Sequence, residues 1–84
     1  MLKKRSVSLA GHSTSIALER EFWDALEAMA GAQGLSLTVL IARIDRGRGG
    51  HPLASALRLA TLRWALDGAE TGRRLGRTPS SAPT

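Results

Sequence analysis

The side chains that could do chemistry in this chain of 84 residues are few and scattered. His12 and His51 lie far apart, and the sequence contains no cysteine. Neither a metal site nor a thiol nucleophile is therefore predicted. The early acidic residues have the spacing of a solvated helix face rather than of an acid–base pair: Glu19, Glu21, Asp24 and Glu27. We predict no enzyme, no cofactor and no metal.

The remaining candidate functional side chains are basic residues near the two ends of the chain, which could contact phosphate groups. The net charge is +5, from 12 basic and 7 acidic residues. The chain between the two basic ends is close to neutral. The basic ends either contact nucleic acid or only aid solubility, and both interpretations stay open at this point. The basic residues at the ends are Lys3, Lys4, Arg5, Arg73, Arg74 and Arg77.

The small size of the chain predicts that it needs a partner. A single short domain buries a modest fraction of its surface, and this one has no disulfide with which to compensate. Oligomerisation is the remaining source of stability. No apolar run approaches the roughly 20 residues that span a bilayer, and residues 6–10 are too short and polar for a signal peptide. A cytoplasmic protein without a membrane partner is expected.

Two alternating segments predict a β-hairpin at the start of the chain. Val7 and Leu9 alternate with small polar residues, and residues 13–18 repeat this period of two, which is typical of strands. A glycine that opens a two-residue loop favours a type II′ turn, so Gly11–His12 is predicted as the turn. This register pairs Val7 with Ile16 and produces one apolar and one hydroxyl-rich face. The first strand could instead be a loose arm.

Three helices are predicted after the hairpin. The first covers residues 19–33, and Gly34 is placed to end it in a left-handed conformation. Ser36 is a good N-cap for the second helix. The third begins near Pro52 and ends at Gly68. It is so apolar that a partner subunit is expected to cover it. The predicted division is a basic N-terminal arm over residues 1–5, a folded domain over 6–68 and a disordered basic tail over 69–84.

The order strand, helix, Gly-x-Ser turn, helix resembles the ribbon-helix-helix superfamily of Arc- and MetJ-like DNA-binding dimers. The resemblance lies in residues 13–23 and 33–38 and extends over about residues 4–66, and residues 4–12 are similar to the start of a bacterial subfamily. The predicted fold class is mainly α with a short N-terminal β-hairpin or ribbon: an intertwined ribbon-helix-helix homodimer with an added third helix. The implied partners are a second copy and double-stranded DNA.

The resemblance also implies roles for particular residues. The two ribbon strands pair across the dyad and turn outward side chains into the major groove, and those side chains would be Ser13, Ser15 and Ala17. The basic start and the beginning of the second helix would contact phosphates, through Lys3, Lys4, Arg5, Ser36, Leu37 and Thr38. The dimer core would contain Ile16, Leu18, Phe22, Leu26, Leu40, Ile41, Ile44, Leu57 and Trp64.

Two departures from the family pattern leave two functions open. Serine hydroxyls discriminate bases poorly, and a four-stranded sheet does not readily enter a major groove about 12 Å wide. Either the protein is a dimeric DNA-binding transcriptional regulator, or it is a dimeric protein-interaction module on the same fold. The second function implies a protein partner and little or no sequence-specific DNA binding.

Overall fold

The computed structural model consists of a β-hairpin followed by three helices, as the sequence predicts. The strands are β1, Leu2–Leu9, and β2, His12–Glu19. The helices are α1, Arg20–Ala32, α2, Leu37–Arg46, and α3, Leu53–Ser81. The structure describes the backbone of residues 1–81 and the side chains of residues 1–68. Within it, β1 and β2 form a two-stranded antiparallel sheet.

The hairpin turn lies one residue earlier than predicted. Ala10 and Gly11 form it with φ angles of +51° and +82°, and Leu9 pairs with His12. Two consecutive left-handed residues make a type I′ turn, whose twist matches that of the strands. The predicted turn at Gly11–His12 and the predicted register are therefore wrong. The pairing moves by two residues, so each side chain keeps its predicted face.

The basic residues that open the chain belong to β1 rather than to a separate arm. Lys3 pairs with Leu18, and Leu2 pairs with Glu19. The indole Nε1–H of Trp23 also donates to the Lys3 carbonyl oxygen at 2.9 Å. Both the strand pairing and this bond extend the sheet through residues 2–5, which were expected to form an arm.

The turn between α1 and α2 has the predicted conformation. Gly34 has a φ of +67°, and the N–H of Leu35 donates to the Ala30 carbonyl at 2.8 Å. This bond closes a Schellman motif, which uses the conformational freedom of glycine. Ser36 then caps α2, because its hydroxyl oxygen accepts from the N–H of Val39 at 3.2 Å.

The core lies between the inner face of the hairpin and the three helices. Leu18, Leu26, Ile41 and Leu57 have no exposed surface, and Trp23 is 1% exposed. Every element contributes at least one buried residue, so the single chain has its own core. The core residues are Val7, Leu9, Ile16, Leu18, Trp23, Leu26, Met29, Ala30, Leu40, Ile41 and Leu57.

The third helix is longer than predicted. It continues past Gly68, where its end was expected, and includes residues 69–81, which were expected to be disordered. One glycine inside a helix costs about 1 kcal/mol relative to alanine, which does not by itself end a helix. Residues 82–84 of the predicted tail lie outside the described residues, and the domain boundaries stay predictions.

Among the residues that the structure describes, no single helix is long and apolar enough to cross a membrane. Only α1 and α2 taken together reach that length and hydropathy, and they are bent by 98° at the turn between them.

Candidate nucleic-acid interface

One face of the hairpin points away from the helices and is covered by nothing in the described part of the chain. Successive side chains of a strand point to opposite faces, so the residues that alternate with the buried ones form this outer face. The register places Ser6 opposite Ser15 and Ser8 opposite Ser13. These four serines are exposed. The central part of the outer face consists of Lys4, Ser6, Ser8, Ser13, Ser15 and Ala17, and Leu2 and Glu19 lie on the same face at the open end of the hairpin.

The residues predicted to face DNA bases lie together on this surface. Ser13 and Ser15 are exposed and Ala17 is half-buried. Ser6 and Ser8 lie beside them, although the sequence interpretation named no residue of β1 as base-facing. The alternation of β1 also predicts this position, because the hairpin places Ser6 and Ser8 on the same face as Ser13 and Ser15. The result is a flat row of hydroxyl groups that both donate and accept hydrogen bonds.

Two adjacent basic residues of β1, Lys4 and Arg5, differ in what surrounds them. Lys4 lies on the outer face, opposite Ala17. Arg5 lies on the inner side, where its Nη1 is 2.8 Å from Glu27 Oε2. Its guanidinium carbon is also 4.8 Å from the centroid of the Trp23 ring. Two groups of the same chain therefore hold Arg5, whereas the sequence predicted that it contacts phosphate.

A similar arrangement joins α3 to the end of β2, and the sequence did not suggest it. Arg58 Nη2 lies 2.9 Å from Glu19 Oε1, and the Arg58 guanidinium carbon is 5.6 Å from the centroid of the Phe22 ring. The pKa of Glu19 is lowered, first by a hydrogen bond from its own backbone and then by the hydrogen bond from Arg58. The two partners are 39 positions apart, so no local pattern reveals the pair.

The beginning of α2 is the other predicted phosphate contact. Ser36 and Thr38 are exposed and Leu37 is half-buried. The first backbone N–H groups of a helix have no acceptor within the helix. The Ser36 hydroxyl accepts from that of Val39, and those of Leu37 and Thr38 have no acceptor among the described hydrogen bonds. The structure thus presents a usable helix N-terminus, although α2 packs against the inner side of β1 and not near the centre of the outer face.

The residues predicted for the dimer core fall into two groups. Six are buried within the single chain: Ile16, Leu18, Leu26, Leu40, Ile41 and Leu57. Phe22 and Ile44 are only partly buried, and Trp64 is 38% exposed. The in-chain core accounts for the first group without a partner. A role for any of these residues in a dimer stays a prediction.

Comparison with known protein families explains this arrangement of elements. A family model described as the ribbon-helix-helix domain matches residues 2–65, which include β1, β2, α1, α2 and the first half of α3. The chain belongs to the ribbon-helix-helix family. Ribbon-helix-helix domains are typically non-enzymatic regulators of the DNA-binding type, and they generally act as dimers.

A solved structure of a bacterial protein has a similar fold. It is an uncharacterized protein from Bordetella pertussis Tohama I, with 36% sequence identity and a TM-score of 0.72. The match covers 100% of this chain and 67% of that chain. A comparison with curated proteins gives no match.

Proposed function

We propose that this protein is a dimeric DNA-binding protein that regulates transcription as other ribbon-helix-helix proteins do. The observation that carries the proposal is the family match over residues 2–65, and we assign the role of the ribbon strand to β2. β2 is directly followed by α1, the Gly34–Ser36 turn and α2. These are the elements that position a ribbon and a helix N-terminus against one duplex.

The free edge of β2 supports the dimer. The sheet contains only β1 and β2 among the described residues, so one edge of β2 has no strand beside it. An uncovered strand edge presents unpaired N–H and C=O groups that readily pair with another chain. In the proposed dimer the two β2 strands pair antiparallel across the dyad. The outward side chains of Ser13, Ser15 and Ala17 then lie at the centre of a joint sheet.

Phosphate contacts are assigned to the exposed cations and to the start of α2. Lys3 and Lys4 are exposed, and the helix N-terminus at Ser36, Leu37 and Thr38 suits an anion because of its free N–H groups and dipole. Arg5 contributes less than its charge suggests, since Glu27 and Trp23 already hold it. Short-range phosphate contacts would position the dimer on DNA without specifying a sequence.

The width of the joint sheet limits base recognition. Four strands at about 4.8 Å spacing extend over roughly 14 Å of backbone, compared with a groove about 12 Å wide. Groove insertion therefore requires β1 to move aside from β2 on DNA. Since a hydroxyl group discriminates bases less well than a bidentate side chain, we expect modest sequence preference.

The pairing of β1 with β2 favours a second candidate function. All eight residues of β1 pair with β2, from Leu2 with Glu19 to Leu9 with His12, so a move of β1 would break a long ladder. If β1 stays in place, the outer face acts as a flat surface for a protein partner. The protein would then be a dimeric interaction module with little or no sequence-specific DNA binding.

The two functions are separated by a fluorescence anisotropy titration at several salt concentrations. The probes are the duplex upstream of the protein's own gene and a random duplex of equal length. Regulation predicts tighter binding to the first duplex and a steep loss of affinity with salt. The Lys3→Ala plus Lys4→Ala variant should lose affinity for both duplexes and show a shallower salt dependence. Equal, weak binding to both duplexes at physiological salt would exclude the regulator and leave the interaction module.

A further inference from the structure

A cavity lies at the junction of α2 and α3 and has a volume of about 230 Å³. Among the described residues, only the end of α2, the first turns of α3 and the loop over residues 47–52 line it. The loop reverses the chain at Gly49, whose φ is +59°. We refer to this cavity as the α2–α3 pocket, and its main lining residues are Ile44, Arg48, His51, Ala56, Ala60 and Arg63.

The floor of the α2–α3 pocket is apolar and belongs to the folded core. Ala56 is 9% exposed, and Ile44 and Ala60 are partly buried against the core residues. Because core packing holds these side chains in place, the floor is formed before any ligand binds. An apolar group that covers it would remove apolar surface from water, which favours binding.

One side of the rim is a guanidinium group in a fixed position. Arg48 Nε donates to Asp45 Oδ1 at 2.7 Å, and Arg48 Nη1 donates to the His51 carbonyl oxygen at 2.7 Å. Asp45 offsets the charge of Arg48, so Arg48 adds little net attraction for an anion. A guanidinium has five N–H donors, and those that Asp45 and His51 leave unused have no acceptor among the described hydrogen bonds. Arg48 therefore provides donors that are already held in place.

The net positive charge of the rim comes from Arg63. Arg63 is exposed and has no partner among the described ion pairs. No acidic side chain is among the described residues that line the pocket. A ligand with a negative charge therefore meets attraction from Arg63 and hydrogen-bond donors from Arg48.

The end of α2 does not cancel this attraction with free carbonyl groups. Carbonyls at a helix C-terminus repel anions when they lack donors. Here the N–H of Gly47 donates to the carbonyls of Arg43 and Ile44, and the N–H of Arg48 donates to that of Asp45. The loop itself thus satisfies the last carbonyls of α2.

We propose that the α2–α3 pocket binds a compact apolar molecule that ends in one oxyanion, either a carboxylate or a phosphate group. The oxyanion lies between Arg48 and Arg63, and the apolar body covers the floor. Guanidinium groups match both oxyanions, because they can form two parallel hydrogen bonds to either. Typical ligand pockets measure roughly 300–1,000 Å³, and a cavity of roughly 150 Å³ accommodates benzene. The volume of the α2–α3 pocket therefore suits a single ring that carries the oxyanion.

A small ligand fits this pocket better than a DNA phosphate does. A backbone phosphate would meet the same arginines, but it presents no apolar body of this size to the floor. The pocket also lies at the opposite end of α2 from Ser36, the proposed phosphate contact. Ligand binding can be measured without DNA, so this proposal and the proposed function can fail independently.

A titration of the isotope-labelled full chain, followed by amide chemical shifts, tests the proposal. The probes are benzoate and phenyl phosphate, and the controls are benzyl alcohol, which lacks the charge, and inorganic phosphate, which lacks the apolar body. We expect saturable shifts at residues 47–51 and at Ala60 with at least one probe, and about tenfold weaker binding of its control. The tighter of the two probes identifies the oxyanion. Absence of saturable shifts with both probes, or equal binding of a probe and its control, would overturn the proposal.

Arg63→Gln tests the position of the oxyanion. Arg63 is exposed, so the variant should keep the circular dichroism of the wild type while its affinity for the anionic probe falls about tenfold. Arg43→Gln is the matched control, because it removes the same charge from an exposed position of α2 outside the pocket lining, and its affinity should not change. An equal loss in both variants would indicate only general electrostatic attraction. Unchanged probe affinity in Arg63→Gln, with or without weaker DNA binding, would place the anion elsewhere; either result rejects the site.

Discussion

The two faces of the hairpin come from the same strands and have opposite properties. On the inner face, Val7, Leu9, Ile16 and Leu18 are at most 8% exposed. On the outer face, the four paired serines are exposed. Burial concentrates stability on the inner face, since each buried aliphatic side chain contributes roughly 1.5–3 kcal/mol. Substitutions on the outer face can therefore change what the protein binds with little effect on its stability.

Neighbouring cations in β1 show the same division. Lys4 and Arg5 are adjacent in sequence, yet alternation places one on the outer face and the other against Trp23 and Glu27. Lys4 and Arg5 contribute equally to the net charge, so the sequence composition does not distinguish them. Their surroundings suit Lys4 to binding and Arg5 to the attachment of β1 to α1.

The largest expected difference between the faces is in stability. Leu18→Ala should lower the free energy of unfolding by about 2–5 kcal/mol, because Leu18 is fully buried and its truncation leaves a cavity. Ser15→Ala, on the outer face of the same strand, should change it by less than about 0.5 kcal/mol. Urea unfolding followed by circular dichroism measures both values. A large destabilisation by Ser15→Ala would show that the outer face is covered in the folded protein.

DNA binding should separate Lys4 from Arg5. Lys4→Ala should reduce the slope of log K against log salt by about 0.9 for each phosphate that the protein no longer neutralises. Arg5→Ala should leave that slope nearly unchanged. It should instead lower the free energy of unfolding by about 1 kcal/mol, because it removes an exposed ion pair and a cation–π interaction. Anisotropy titrations and urea unfolding of the two variants provide the measurements. The reverse pattern would mean that Arg5 leaves Glu27 when DNA binds.

A substitution in the turn that joins the strands should change the free energy of unfolding without altering either face of the hairpin. Ala10 adopts a left-handed conformation at φ +51°, which is costly for a residue with a Cβ atom and is tolerated by asparagine. Ala10→Asn creates the Asn-Gly pair preferred in type I′ turns, and we expect the free energy of unfolding to rise by about 0.5–1 kcal/mol.

The matched variant of the same turn is Gly11→Ala. A methyl group at Gly11 meets no atom within 4 Å, so any destabilisation comes from the backbone conformation at φ +82° alone. We expect destabilisation by about 1 kcal/mol. Thermal unfolding of both turn variants measures the effects, and destabilisation by Ala10→Asn would contradict the type I′ assignment.

The smallest expected effect concerns the end of β2. The pKa of Glu19 is lowered in the folded protein by its backbone hydrogen bond and by Arg58. A lowered pKa adds stability that is fully present above the unfolded pKa of the carboxyl group and is lost as the pH falls through the folded value. Glu19→Gln should therefore flatten the acid side of the stability curve.

Glu21→Gln is the control for this measurement, because Glu21 lies in the first turn of α1 and has no partner among the described ion pairs. Urea unfolding at a series of acidic pH values gives the two curves. Coincident curves for Glu19→Gln and the wild type would show that the Arg58 contact contributes nothing to stability.

Local patterns were sufficient to predict the elements and the two faces of the hairpin. Alternation identified the inner face, and Gly34 and Ser36 marked the turn between α1 and α2 through their own conformational preferences. The register was not predictable in the same way, because Gly11 fits either position of a two-residue loop and Ala10 is a poor signal for a left-handed turn. Contacts such as Arg58 with Glu19 depend on how α3 packs, which no local spacing encodes.

The ladder between β1 and β2 also bears on how subunits would exchange. Because β1 pairs with β2 in the same chain and the core is formed by residues of one chain, separation of two β2 strands leaves each protomer with its hairpin intact. Exchange between dimers would then require the shared strands to part but not the protomer to unfold. If the proposed dimer forms, mixed dimers of wild-type and variant chains should appear faster than either chain unfolds, and two versions of the chain in equal amounts would give about half mixed dimers.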